Sequence, residues 1–156
     1  MTVAASVVRV LTDHGTEYEL VSHAKSFSSI ESASAAHVPE DHIAKGVLLK
    51  DARGYVLAVI PASEWIDLRR LKTELGRDLS MAPEREVDAL FSDCSPGAVP
   101  PLGEAYGLEM VLDDSLTSLS SIYFEGGDHE HLVRLDGDQF NALMQGVRRG
   151  HISNTM

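Results

Sequence analysis

Cysteine, long apolar runs and positive charge are all scarce in this chain, and each shortage excludes a class of protein. One cysteine, Cys94, stands in 156 residues, so no internal disulfide can form and a reducing compartment suits the chain. No segment reaches about 18 consecutive apolar residues, the length that a membrane-crossing helix needs. The N-terminus, Met-Thr-Val-Ala-Ala-Ser-Val-Val-Arg, has no basic region ahead of an apolar run and does not read as a secretory signal. The expectation is a cytoplasmic protein with no membrane partner. Lysine and arginine total 13 against 24 aspartates and glutamates, a formal net charge of -11. Neutralising phosphates requires the opposite balance, so autonomous nucleic-acid binding is expected to be weak. A nucleic acid can still offer one end to a pocket, with a second protein supplying affinity. A Gly-Lys-Ser/Thr phosphate loop is missing too, which leaves nucleotide hydrolysis without support.

What remains is ordinary for a soluble globule, with 44% hydrophobic and 24% charged residues. The length suits one domain with an adequate core. We read residues 1–150 as that domain and His151 to Met156 as a frayed tail.

The organising stretch is Ile43 to Ile60. Two apolar runs, Ile-Ala-Lys-Gly-Val-Leu-Leu-Lys and Tyr-Val-Leu-Ala-Val-Ile, flank the turn residues Asp51-Ala52-Arg53-Gly54, which predicts a hairpin. Strand alternation puts Lys45 on one face with Ile43, Val47 and Leu49. An ammonium among aliphatics costs free energy unless a polar partner compensates it. Lys45 therefore either snorkels to the sheet rim, sits on a strand slipped by a bulge, or serves a site.

Elsewhere, Val3, Val7, Val8 and Leu11 fall at helical spacing before His14-Gly15, and Glu17 to Val21 is a strand candidate. Ser28 with Glu31 forms a capping box ahead of a small-residue helix ended by Pro39. Asp67 caps a helix through Leu68, Leu71 and Leu75, and Pro83 opens another with Val87, Leu90 and Phe91 inward. Strands are expected at Leu79–Met81, Leu108–Leu112, Ser121–Phe124 and His131–Leu135. A last helix carries Phe140, Leu143, Met144 and Val147, with Arg148 and Arg149 against its C-terminal dipole and Gly150 ending it. Regular β-α-β alternation is lacking, so the fold class is α+β with a mixed, largely antiparallel sheet.

Three features could carry chemistry. Cys94 to Gly103 packs three prolines and two glycines into ten residues. It is either a rigid connection or a preorganised wall whose N–H groups, from Gly97, Ala98, Val99, Leu102 or Gly103, face a ligand. His129 and His131 would share a strand face, where a metal could use both with Glu125 or Asp128; a polar pocket role for one histidine is the alternative. Asp93 beside Cys94 raises the thiol pKa, which favours an inert cysteine.

Three passages in order resemble the YbaK family and the editing domain inserted in bacterial prolyl-tRNA synthetases. Ile43 to Lys50 is similar to the family's lysine strand, with Lys45 at the functional lysine. Gly97-Ala98-Val99-Pro100-Pro101 resembles its Gly-x-x-x-Pro loop, and Gly126-Gly127-Asp128-His129 its late Gly-x-His turn. Val111 to Leu116 resembles the strand-to-helix passage between them, and the likeness runs from about His23 to Leu143. It departs from the pattern at Gly46, where a side chain is usual, and at His131, where an apolar residue is.

The resemblance implies a barrel-like mixed sheet flanked by helices. It implies a trans-acting, metal-independent aminoacyl-tRNA deacylase (tRNA editing), with Lys45 catalytic and Gly97, Ala98, Val99, Pro101 and His129 binding substrate. The implied partners are the aminoacyl-tRNA 3′ end and an aminoacyl-tRNA synthetase, prolyl in this family; no cofactor is implied. The alternative is a catalytically silent module that binds a small ligand or a synthetase.

Overall fold

A computed structural model describes residues 2–155. Helix α1 (Ala5–Asp13) buries Val7, Val10 and Leu11, and strand β1 (Glu19–Ser22) follows. Helix α2 (Ser29–Ala36) starts where expected: Ser28 Oγ accepts the Glu31 N–H, while Glu31 accepts the Phe27 N–H. A short 3-10 turn then leads into strands β2 (Ala44–Asp51) and β3 (Gly54–Pro61), the antiparallel hairpin anticipated from the alternation.

After β4 (Glu64–Ile66), Asp67 caps α3 (Leu68–Leu75) by accepting the Arg70 N–H. Strand β5 (Ser80–Met81) and helix α4 (Glu84–Leu90) follow, with Pro83 just outside the helix. The chain then passes through the Gly/Pro loop and a 3-10 turn to β6 (Glu109–Asp113). Asp113 caps a further 3-10 turn before β7 (Ser121–Glu125), β8 (His131–Asp136) and α5 (Gly137–Leu143).

Two expectations fail at the C-terminal end. The last helix stops at Leu143, because the chain turns at Met144 and Gly146 takes φ +85°. Arg148–Gly150 is instead strand β9, parallel to β6, so Arg148 and Arg149 do not sit on a helix dipole. Nor is the tail frayed: Ile152 is fully buried and Ser153–Thr155 forms β10, antiparallel to β4. Ile152 supplies the apolar anchor, and its N–H donates to Asp113, tying the terminus to β6. Met156 lies outside the described residues.

The strands form a five-stranded sheet, β5-β2-β3-β6-β9, a three-stranded sheet, β1-β8-β7, and the β10-β4 pair. Most pairings are antiparallel; β3-β6 and β6-β9 are parallel. A parallel bridge from Ile43 to Tyr123 joins the two larger sheets where β2 begins. The result is α+β and barrel-like, but the strands do not close into a ring. Between the sheets lies the main core, with Leu48, Leu57, Val59, Leu112, Phe124, Val133 and Phe140. On the outer face of the hairpin, Val47, Leu49, Val56 and Ile60 pack under Leu71 of α3. Burial of a side chain of this size contributes about 1.5–3 kcal/mol. Both faces of the hairpin are therefore buried along its middle, and it opens at the turn and where Lys45 emerges.

Candidate active site

Lys45 is half-buried and pairs across the hairpin with Ile60. It makes no ion pair with any described residue, whereas Lys50 at the turn end of the same strand binds Glu86 at 2.9 Å. The ammonium of Lys45 thus lies free beside a cleft of about 230 Å3 lined by Phe27, Ser28, Ile30, Gly46, Gly97 and Val99. The sequence-expected lysine and two positions of the expected loop share one wall-to-wall space.

The loop's shape follows from its residue types. Ala98 N–H donates to the Ser95 carbonyl at 3.0 Å, closing a turn with Pro96 and Gly97 at its centre. Proline presets the first central angle and Gly97, at φ +82°, takes the second, the pattern of a type II turn. Two contacts pin this turn from behind. Ser95 N–H donates to the Gly127 carbonyl at 2.7 Å, and the His129 ring donates through Nε2 to the Pro96 carbonyl at 2.7 Å.

This geometry separates the expected binding residues. Gly97 and Val99 line the cleft with N–H groups that donate to no described residue. Ala98 spends its N–H on the turn and its side chain is fully buried, so it has no donor to offer a ligand. Pro101 is buried behind the loop, away from the cleft lining. His129 stands beneath the loop rather than in the cleft, 2% exposed and in the left-handed region at φ 58°. That backbone angle takes it out of the strand, so it does not share a face with His131. The His131 ring binds Asp128 at 2.6 Å instead. Among the described residues, no three His, Cys, Asp or Glu side chains are placed to hold a metal ion.

A polar cluster beneath the loop escaped the sequence. Glu125, 1% exposed, accepts from Ser32 Oγ at 2.6 Å, and Ser32 in turn accepts from Ser26 Oγ at 2.6 Å. The same carboxylate faces His129 Nδ1 at 3.8 Å, and this pairing raises the His129 pKa against the opposing effect of burial. Capping explains Glu31, but nothing local marks Ser32 and Glu125, which meet across 93 residues of chain. Cys94, by contrast, is as expected: burial first, and Asp93 after it, push its thiol up to about 12. It contacts Tyr106 at 3.3 Å, and its burial disfavours the thiolate that a nucleophile needs.

Known proteins resemble the chain in sequence and in fold. The family model described as the aminoacyl-tRNA editing domain matches residues 23–143. The prolyl-tRNA editing protein ProX of Acetoanaerobium sticklandii is 26% identical over 88% of this chain and 94% of its own length. A crystal structure described as a candidate trans-editing enzyme for prolyl-tRNA synthetase superposes with a TM-score of 0.84 at 24% identity, covering 99% of this chain and 98% of that one. A candidate signal transduction protein from Marinobacter aquaeolei VT8 has the same fold in 31% of its length, with a TM-score of 0.80 at 21% identity over 97% of this chain. With the family model spanning most of its length, the chain belongs to the aminoacyl-tRNA editing domain family.

Proposed function

We propose that the chain is a trans-acting aminoacyl-tRNA deacylase, which hydrolyses the ester of a mischarged tRNA without a metal ion. The observation that carries this reading is the unpaired Lys45 ammonium beside the free N–H groups of Gly97 and Val99, in one cleft of an editing-family chain. An aminoacyl ester is already activated, so a strong nucleophile is unnecessary. Catalysis needs an oriented water and stabilisation of charge developing on the carbonyl oxygen. Water oxygen adds to the carbonyl carbon, and the resulting oxyanion is met by N–H donors of the turn. Its collapse breaks the bond to the ribose oxygen of the terminal adenosine, which takes up the proton given up by the attacking water and leaves as a hydroxyl. Lys45 holds the adjacent phosphate or the ester oxygen. The substrate's own ribose hydroxyl or amine is available to guide the water.

The cleft is smaller than the roughly 300–1,000 Å3 of drug-sized ligand sites, which suits a small aminoacyl group such as alanine, serine or cysteine. Tyr, Phe or Trp esters are expected to be poor substrates. The name of the ProX relative supports a prolyl tRNA as the carrier and a prolyl-tRNA synthetase as the partner. The test is a panel of mischarged tRNAs incubated with the protein, with and without that synthetase. Ester loss on a small-residue mischarged tRNA is the expected result. Saturable binding without ester loss across the panel would reject the deacylase in favour of a silent binding module.

A further inference from the structure

The cleft has two walls contributed by distant parts of the chain, and one buried side chain touches the support of both. Helix α2 and the residues before it supply Phe27, Ser28 and Ile30; the Pro96-Gly97 turn supplies Gly97 and Val99. Glu125 accepts from Ser32 of α2 on one side and faces the His129 ring on the other, and that ring donates to the Pro96 carbonyl. Ser26, just ahead of α2, also donates its N–H to the His129 carbonyl at 3.1 Å. We infer that Glu125 is a positioning residue, whose buried carboxylate clamps the turn through His129 and helix α2 through Ser32 and so fixes the spacing of the cleft walls. The inference rests on the deacylase reading for its effect on rate, but not for the clamp itself.

The protonation state follows from the partners. The Pro96 carbonyl can only accept, so His129 carries a proton on Nε2. Nδ1 has no hydrogen-bond partner among the described residues, and neither has Glu125 Oε2. A bare Nδ1 lone pair would face a carboxylate, which is repulsive; a second proton there converts the contact to an attraction in a site with little water. Among the other groups near the ring, Asp128 adds a smaller attraction that also favours the proton. Asp128 is committed to the His131 ring and to the N–H groups of Glu130 and His131. Burial keeps the Cys94 thiol protonated, and α2 and the segment before it bring the Ser26 and Ser32 hydroxyls to the cluster. Lys45 lines the cleft, which the His129 ring does not.

The clamp is therefore closed at low pH and loosens as pH rises through the raised folded pKa of His129. The full-length protein, isotopically labelled and without substrate, tests this by NMR titration of the His129 ring and the Gly97 amide. In the parent, both report one transition above the ordinary histidine value of about 6.5. Glu125→Gln, which keeps the shape and removes the charge, is expected to lower that transition. The high-pH decline of single-turnover kcat, corrected for spontaneous ester loss, moves down by the same amount. Glu125→Ala is expected to cut kcat about 10²-fold, the scale of an ångström of misplacement, with KM changed less than about threefold. A His129 transition that Glu125→Gln leaves in place overturns the clamp, as does a kcat decline that stays put while the ring titration moves. The NMR arm needs no turnover, so an inactive parent strikes the deacylase reading alone.

Discussion

Gly46 shows how little slack the lysine strand leaves for the loop. A Cβ added there would lie 3.1 Å from Val99 Cγ1 and 3.2 Å from Leu57 Cδ1, both side-chain tips that can yield a few tenths of an ångström. The absence of a side chain at 46, unusual beside the family pattern, is thus matched by Val99 leaning into the vacated space. Gly46→Ala is expected to cost about 1 kcal/mol from overpacking, read by urea denaturation, while shifting the ester panel toward smaller residues as Val99 moves into the cleft. Gly97 is a different case, since its constraint is the backbone. At φ +82°, with the His129 ring and the Phe27 carbonyl about 3.4 and 3.5 Å from an added Cβ, Gly97→Ala should cost about 1–3 kcal/mol. The accompanying loss in deacylation should exceed that of Gly46→Ala, because the N–H donors are displaced directly.

Among the elements, the hairpin depends on one buried guanidinium. Arg77, 7% exposed, donates to both oxygens of Asp51 at 2.7 and 2.8 Å and to Glu109 at 3.2 Å, clasping the turn between β2 and β3. Arg77→Ala removes the ion pair of Asp51, leaving it the Arg53 N–H, and is expected to lower the melting temperature by roughly 5–10 °C, checked by calorimetry. The same pair gives an acid limb. The Arg77 hydrogen bonds hold the Asp51 carboxyl well below the usual carboxylate range, against the effect of burial. Its stabilisation is present above the unfolded carboxylate value and is lost as pH falls through the depressed folded one. The parent's stability should therefore fall with acidification below about pH 4, and that slope should shrink in Arg77→Ala. The hairpin itself was legible because eight consecutive residues alternate against a buried core on both faces. The capping residues Ser28 and Asp67 were legible for a local reason as well, each bonding an N–H three residues on. Strands β9 and β10 were not. Each is three residues long, carries little apolar content, and exists only because a distant strand offers it hydrogen bonds. In the site, Lys45 stood out by conflict with its neighbours. The burial of Ala98, the removal of His129 from the cleft and the Ser32–Glu125 contact all depend on long-range packing that no local spacing encodes.

At the scale of the whole molecule, charge decides how a tRNA can be held. A net charge of -11 repels the body of a polyanion, so contact is expected at the 3′ end, for which Lys45 is the proposed anchor, and hardly elsewhere. The dependence of kcat/KM on salt should accordingly be shallow, with a logarithmic slope corresponding to no more than about three phosphates. Under the proposed partnership, adding a prolyl-tRNA synthetase should lower KM. The central claim nonetheless reduces to a single amine. Single-turnover deacylation of a small-residue mischarged tRNA, compared between the parent and Lys45→Ala with melting temperatures recorded alongside, tests it most directly. The account predicts a rate loss of at least about 10²–10³-fold in a variant that melts as the parent does. Equal rates in the two proteins would contradict it.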